Sequence, residues 1–225
     1  MAYHQCLPLT NDMNIGADEK KHIARYLKFL LCCEKIAHSC SARQAKLCED
    51  KQMKRFLLKQ SRQEKFHAIT FQSGILFLAP KGVKAPAQKH TRIYDALLDE
   101  AITDHDLLSS VIGLQVILEG MGEIALARLD LGMKQHDTGF QKLRRAILAQ
   151  EDAHHDFGLQ YLNKKPLLTM SIQPEAYLAV ISDMLSSMHN LFEFFDEDSN
   201  QYIADFRRNL PDQIYKNAIS NHSDA

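Results

Sequence analysis

Residues 150–158 read Gln-Glu-Asp-Ala-His-His-Asp-Phe-Gly and place three acids and two histidines within nine residues. The residues around them repeat apolar side chains with the period of an amphipathic helix. On such a helix Glu151 and His154 fall on the same apolar stripe as Ile147 and Phe157. The segment therefore predicts a helix that turns a carboxylate and an imidazole toward the protein interior.

The same helical periodicity continues along almost the whole chain, and no segment shows the alternating pattern of a strand. It predicts an all-α fold with four long helices, at about residues 18–47, 51–77, 91–133 and 139–162. Two further helices are predicted from Pro174 to about residue 195 and at about residues 200–219. The third long helix is long for a single element, which favours a kink or a split near Thr103 to Asp106. The tail 220–225 is expected to fray.

Each of the four long helices carries one glutamate in the middle of its inward stripe, and two of them add a histidine three residues later. These residues are Glu34 on the first helix, Glu64 and His67 on the second, Glu119 on the third, and Glu151 and His154 on the fourth. Side chains at positions i and i+3 project from one helix face, so one metal ion can bind both. Four unpaired carboxylates in a core would each cost on the order of several kcal/mol, and the stripes carry no lysine or arginine near them. Two divalent metal ions would neutralise the carboxylates and take the imidazoles as ligands.

The spacing of the glutamates fits two antiparallel hairpins. Residues at one level of such a hairpin are equidistant from its turn, and the midpoint of Glu34 and Glu64 falls at residue 49, where the helical pattern is interrupted. The midpoint of Glu119 and Glu151 falls at residue 135, within a predicted turn. The connection at 78–90 contains two prolines and a glycine and fits the long crossover of a one-crossover bundle.

A third Glu-x-x-His pair, Glu19 and His22, provides a comparison. It lies in the charged segment 17–22, and no other carboxylate is expected at its level. We expect this pair to belong to a solvated first helical turn.

The ligand pattern resembles that of the ferritin-like di-iron carboxylate superfamily, whose four-helix bundles bind two metals through two glutamates and two Glu-x-x-His pairs. The resemblance covers about residues 23–162. The run of Glu151, His154, Phe157 and Gly158 is similar to the last ligand helix of the oxygenase and oxidase branch. The resemblance implies that Glu64 and Glu151 bridge the two metals, while Glu34 and Glu119 bind one metal each.

The resemblance also implies a single domain over residues 1–225, with the bundle at about 18–163 and accessory helices at about 173–219. Within the superfamily, the second histidine argues against ordinary ferritin, and the two trailing helices argue against the shorter bacterioferritin. No Cys-x-x-Cys pair is present for the rubredoxin-like module of a rubrerythrin. Phe71 stands where a ribonucleotide reductase small subunit normally has its radical tyrosine. Ligand spacing and length are most similar to those of aldehyde-deformylating oxygenase.

The resemblance thus implies an enzyme: a non-haem di-iron oxygenase or oxidase that uses O₂, an electron donor and a small organic substrate. A manganese–iron pair would use the same ligands. Two alternatives remain open, namely a ferroxidase or iron-handling protein, and a helical protein that binds metal for structure alone.

Four further residues near the ligands are candidates for an extra ligand or a hydrogen-bonding partner of one: Glu123, His38, Asp152 and Asp156. For His38, a hydrogen bond to a backbone carbonyl is the alternative. Gly120 and Gly122 flank Glu119 and would serve either to open space for a small molecule or to allow close helix packing.

Bulk properties limit the partners and the location of the protein. A formal net charge of −1 over 225 residues gives no broad basic field, so nucleic acid is not expected as a main partner. No signal peptide is evident and no run approaches the ~20 apolar residues of a membrane span, so no membrane partner is expected. Five cysteines without a Cys-x-x-Cys pair favour reduced thiols in a cytoplasm. The apolar stripe at 184–195 predicts core packing or the face of a homodimer, with the wall of a pocket as the further alternative.

Overall fold

The computed structural model describes residues 16–133, 141–164, 170–194 and 198–214. All regular elements in these ranges are helical, so the prediction of an all-α fold is confirmed. The elements are α1 (Ala17–Leu47), α2 (Lys51–Leu78), α3 (Gln88–Thr103), α4 (Leu107–Val111), a π-helix (Ile112–Leu118), α5 (Glu119–Met133), α6 (Gln141–Leu162), α7 (Pro174–Ser186), α8 (His189–Phe194) and α9 (Ser199–Asn209).

The first two helices form a tight hairpin, and their inward stripes pack against each other along most of their length. The chain reverses between Leu47 and Lys51, where the spacing of the glutamates predicts it. Asp50 caps α2 because its side chain accepts a hydrogen bond of 2.7 Å from the Met53 backbone N–H. The second predicted turn, around residue 135, lies outside the described residues.

The third predicted helix is divided where a kink or a split was expected. Helix α3 ends at Thr103, and His105 adopts a positive φ of 59°. Asp106 then caps α4 by accepting a hydrogen bond of 2.9 Å from the Ser109 backbone N–H. The helical pattern of the sequence therefore does not show that α3 is a separate helix. Helix α3 packs against α1 and α7.

The helical run from Leu107 to Met133 contains a π-helix that the sequence pattern does not predict. All seven residues of the π-helix are buried. Two glycines, Gly113 and Gly158, allow neighbouring helices to lie close to the π-helix. A Cβ on Gly113 would lie 2.6 Å from the Tyr177 ring of α7, and a Cβ on Gly158 would lie 2.7 Å from Gln115 Cβ.

One helical stretch, Leu107–Ala127, is long and apolar enough to cross a membrane by length and composition. The expectation that no such run exists is therefore wrong. In this structure 78% of the most apolar part of the stretch is buried inside the protein. This is the environment of a core helix.

The helices after α6 pack on the elements that precede it. Tyr202 of α9 donates a hydrogen bond of 3.0 Å to the Met121 carbonyl of α5. The apolar stripe at 184–195 is interrupted between α7 and α8, and its large side chains Met184, Met188 and Leu191 are buried in the chain's own core. Of the three alternatives for this stripe, core packing is thus what the structure shows for these residues. The predicted end of the last helix and the tail lie outside the described residues.

Candidate metal centre

The structure brings the six predicted ligand residues together in the interior, at most 6% exposed. Their side-chain atoms form two groups, and within each group one atom per residue lies within 4.8 Å of the others. The first group is Glu34, Glu64, His67 and Glu151, and the second is Glu64, Glu119, Glu151 and His154. Glu64 and Glu151 belong to both groups.

His67 is the centre of the first group. Its Nδ1 atom lies 2.9 Å from a Glu151 oxygen, 3.0 Å from a Glu64 oxygen and 3.3 Å from a Glu34 oxygen. Three carboxylates therefore converge on one imidazole nitrogen, although α2, α6 and α1 supply them from different parts of the chain.

His154 takes the corresponding place in the second group. Its Nδ1 atom lies 2.8 Å from Glu64 Oε1 and 3.9 Å from Glu151 Oε2. The short contact lacks hydrogen-bond geometry: among the described residues neither His154 Nδ1 nor Glu64 Oε1 has a hydrogen-bond partner, and Glu151 Oε1 also lacks one. All three atoms are buried. Buried polar atoms of this kind are rare, and each calls for a partner such as an ion.

The glutamates of the cluster are electrostatically unequal. Burial, followed by the neighbouring Glu151 charge, raises the pKa of Glu34 well above its usual value. Burial also raises the pKa of Glu119 strongly, with Glu64 and Glu151 adding to the effect. Burial opposes ionisation of Glu64 as well, but the imidazoles of His154 and His67 beside it outweigh burial and lower the pKa of Glu64.

The carboxylates of the cluster raise the pKa of both histidines. Burial disfavours the imidazolium form of His154, but the Glu151 and Glu64 carboxylates outweigh burial and raise the pKa of His154 to about 9. Glu151, Glu34 and Glu64 likewise raise the pKa of His67. The carboxylates therefore require positive charge among them, which protons supply in part and divalent cations would supply in full.

Two glutamines orient the histidines, and sequence analysis did not single them out. The Nε2–H of His67 on α2 donates to Gln150 Oε1 on α6 at 2.9 Å. The Nε2–H of His154 on α6 donates to Gln63 Oε1 on α2 at 3.1 Å. If a metal ion replaced the proton on each Nδ1, the Nε2–H donated to the glutamine would hold the neutral imidazole with its Nδ1 lone pair toward the carboxylates, as a metal ligand requires. The Gln-Glu-x-x-His pattern occurs twice in the sequence, and this repetition could have identified the two glutamines.

A chain of amides supports Glu119 from the other side. Gln60 Nε2 donates to Glu119 Oε1 at 2.8 Å, and Gln115 Nε2 donates to Gln60 Oε1 at 2.9 Å and to Gln44 Oε1 at 2.8 Å. These side chains are fully buried. Gln115 belongs to the π-helix, so the chain links this unusual segment to the orientation of Glu119.

The four additional candidates lie apart from the two ligand groups. Glu123 Oε2 accepts a hydrogen bond of 3.1 Å from His155 Nδ1, a partner that sequence analysis did not consider. His38 is half-buried, and its Nδ1 lies 2.8 Å from the Ser61 carbonyl, which agrees with the carbonyl alternative. Asp152 and Asp156 are exposed. Their suggested hydrogen bonds to the ligand histidines are a wrong prediction, because the distal nitrogens of those histidines bind glutamines instead.

The comparison pair lies outside the site, as expected, but it is only partly solvated. Glu19 and His22 lie in the first turns of α1, outside both ligand groups. His22 Nδ1 bonds to the Asp18 carbonyl at 2.8 Å, and its ring stacks on Phe194 at 3.9 Å between centroids.

A small cavity adjoins the carboxylates of Glu34, Glu119 and Glu151. Its volume is about 20 Å³, which is enough for a water molecule or O₂. The remaining lining residues are mainly apolar: Leu30, Cys33, Ala37, Leu118, Met121, Gly122 and Leu126.

The two glycines beside Glu119 have different roles. A Cβ on Gly122 would meet no atom within 4 Å, so this glycine opens space at the cavity. A Cβ on Gly120 would lie 3.1 Å from His155 Nε2, so that glycine allows close packing of α5 and α6.

The four described cysteines, Cys32, Cys33, Cys40 and Cys48, are free thiols. Burial raises the pKa of Cys33 well above its usual value and the pKa of Cys40 to about 12. Cys33 therefore lines the cavity as a neutral thiol. Cys6 lies outside the described residues.

Comparison with protein-family models gave no match to this chain, and no curated protein matches it.

Proposed function

We propose that the protein is an O₂-activating oxidoreductase of the ferritin-like di-iron carboxylate superfamily. Helices α1, α2 and α6 and the helical run 107–133 would form its four-helix bundle, with α3 part of the crossover between the two hairpins. The observation that carries the proposal is the pair of buried ligand groups that share Glu64 and Glu151. Four carboxylates and two imidazoles match the donor set of a di-iron or manganese–iron pair.

The donor set fits two cations better than one. Each group supplies three carboxylates and one imidazole, and the shared glutamates have oxygens in reach of both positions. In this assignment Glu64 and Glu151 would contribute to both positions, Glu34 and His67 would complete one, and Glu119 and His154 would complete the other. Bound iron would supply one-electron redox chemistry with O₂, with electrons from a donor in the cytoplasm.

Several residues of the chain would suit the site to a small molecule such as O₂. The cavity is lined mainly by apolar side chains and brings its contents against Glu34, Glu119 and Glu151. Gln63 and Gln150 hold the two imidazoles, and Gln60 holds Glu119. A small organic substrate, as in the aldehyde-deformylating oxygenases that the ligand spacing resembles, would then react beside the metal pair.

A ferroxidase is the second candidate, and the volume of the cavity favours it. In the part of the chain that the structure describes, this cavity of about 20 Å³ would admit O₂ but is too small for an organic substrate as well. In a ferroxidase, Fe²⁺ itself would be the substrate and no organic pocket would be needed.

Metal content is the first test of the proposal. Protein expressed with iron should contain close to two irons per chain, and addition of O₂ after anaerobic reduction should give a transient absorbance. Zinc that does not respond to O₂, or no metal after iron loading, would contradict the oxidoreductase and leave a structural metal site.

Repeated addition of Fe²⁺ separates the two redox candidates. A ferroxidase consumes many equivalents of Fe²⁺ with O₂ and without an organic substrate. An oxygenase stops after its own irons are oxidised and resumes only with a reductant and substrate.

A further inference from the structure

The segment from Lys51 to Tyr94 has a charge that the net charge of the chain conceals. It contains ten lysines and arginines but a single acid, Glu64, which is buried in the metal centre. Its local charge is therefore +9, while the rest of the chain carries −10 to give the net charge of −1. All ten basic side chains are exposed: Lys51, Lys54, Arg55, Lys59, Arg62, Lys65, Lys81, Lys84, Lys89 and Arg92.

The outward side of α2 also exposes large apolar side chains. Phe77 is 70% exposed, and four others are between 43% and 58% exposed: Leu58, Phe66, Ile69 and Leu76. Their spacing of three, seven and eight residues places them on one side of the helix, opposite the buried Glu64 and Phe71. Arg55, Lys59 and Arg62 fall on the same side. We call these apolar and basic residues together the α2 face.

We propose that the α2 face binds the surface of an anionic lipid membrane, a partner that the lack of a predicted membrane span did not lead us to expect. Its apolar residues extend for about 30 Å along the helix, and the lysines and arginines continue through the connection into α3. A helix of this kind lies in the membrane interface, where its apolar side chains enter the acyl boundary and its basic groups contact lipid phosphates. The acidic remainder of the chain would then be turned away from the lipid.

Other occupants fit this surface less well. Leucine and isoleucine side chains have no partner on a phosphate–sugar backbone, so the apolar half of the α2 face argues against nucleic acid. A second copy of the chain would bring two strongly basic surfaces together, and like charges oppose that contact. An extended anionic surface satisfies both the charge and the apolar residues.

Vesicle co-sedimentation of the metal-loaded 225-residue chain tests this proposal. We expect partition onto equimolar phosphatidylcholine–phosphatidylglycerol vesicles, little partition onto phosphatidylcholine alone, and release at an ionic strength of about 1 M. Two double variants address the two components of the surface: Lys59→Glu with Arg62→Glu, and Leu76→Ser with Phe77→Ser. Each should weaken partition by about tenfold or more. All four side chains are exposed, so the fold should be unaffected.

Arg145→Glu with Lys164→Glu is the matched control, because it makes the same charge change at exposed positions on and after α6. This control should bind anionic vesicles as the unmodified protein does. Equal binding to both kinds of vesicle, an equal loss in the control, or retention on nucleic acid without partition onto vesicles would overturn the proposal. The proposal goes beyond the redox function and does not depend on it, since the metal content of every variant is measured separately.

Discussion

Glu64 and Glu151 are the residues on which the proposed site depends most, because each contributes to both ligand groups. Glu34 and Glu119 each contribute to one. This difference in connectivity makes the proposed bridging and terminal roles distinguishable by mutation.

Glu64→Ala should abolish metal binding at both positions, so that the metal content falls from about two ions per chain to near zero. Glu119→Ala should abolish binding at one position only, so that about one ion per chain remains. Elemental analysis after iron loading measures both values. Glu19→Ala is the control, since Glu19 belongs to the Glu-x-x-His pair outside the site, and it should retain full metal. Full metal content in Glu64→Ala would refute the ligand assignment.

Substitution of the glutamines that orient the histidines is expected to lower the affinity of the site for metal rather than the number of metal ions bound. Gln63→Leu or Gln150→Leu removes the acceptor of an Nε2–H donor and frees the imidazole to rotate or change tautomer. We expect a loss of metal affinity of about 10- to 100-fold, measured by competition with a chelator. Asp152→Leu, which changes an exposed neighbour on α6, should leave the affinity unchanged. Equal effects at all three positions would show that the glutamines act only through general stability.

Gly122 allows the cavity to be filled without moving a ligand. Gly122→Leu should slow the reaction of the reduced protein with O₂ by about tenfold or more while metal content stays normal. Gly122→Ala is the matched control, because it makes a similar change in helix propensity and its Cβ meets nothing within 4 Å. Stopped-flow absorbance compares the two variants. An unchanged rate in Gly122→Leu would mean that O₂ reaches the metals by another route.

At the scale of elements, the π-helix has the largest effect on the site. A π-helix holds an extra residue in its turn compared with an α-helix, so it changes the direction of every side chain after it. Here Glu119 follows the last π-helical residue directly, and Gln115 within the segment belongs to the amide chain that supports Glu119.

Deletion of Ile117 should convert the π-helix to an α-helix and turn Glu119 by about 100° away from its group. The group formed by Glu34, Glu64, His67 and Glu151 should persist, so about one metal per chain should remain. Deletion of Lys81 in the exposed connection is the control and should retain both metals. Full metal content in the Ile117 deletion would mean that the segment keeps its π geometry or that Glu119 is not a ligand.

Elements with a strong period were predictable from sequence, and elements set by tertiary packing were not. The α1–α2 hairpin has two long stripes and a capped start, so its turn was located within a residue or two. The π-helix and the separate α3 have apolar spacing close to that of one long helix. Their departures from a continuous α-helix accompany the close approach of Gly113 to Tyr177 and the positive φ of His105, which apolar periodicity does not record. In the site, inward position revealed the six acids and histidines. The partners of those residues come from other helices, and periodicity along one helix cannot identify them.

At the scale of the whole molecule, bound metal should contribute to stability without being the origin of the fold. An apolar cluster that joins most helices forms the core and does not involve the proposed metal ligands. Removal of metal should therefore preserve helical content but restore repulsion among buried carboxylates.

Metal removal with a chelator should lower the melting temperature by about 10 °C, because saturating ligand stabilises a chain of this size by about 4 kcal/mol. Circular dichroism should show unchanged helicity before the transition. Glu64→Ala should melt at one temperature with or without chelator, since it has no site to empty. A chelator effect of the same size in Glu64→Ala would assign the stabilisation to metal bound elsewhere.

The reciprocal hydrogen bonds between α2 and α6 also bear on the history of the molecule. Gln63-Glu64-x-x-His67 and Gln150-Glu151-x-x-His154 exchange equivalent bonds, which is the relation expected of two copies under a two-fold rotation. One hairpin duplicated and fused within a single gene would produce this arrangement. The two hairpins are nevertheless not identical: Gln60 precedes Glu64 by four residues, where Ile147 precedes Glu151. Two ions held between them would therefore occupy inequivalent environments, and spectroscopy should resolve them as distinct.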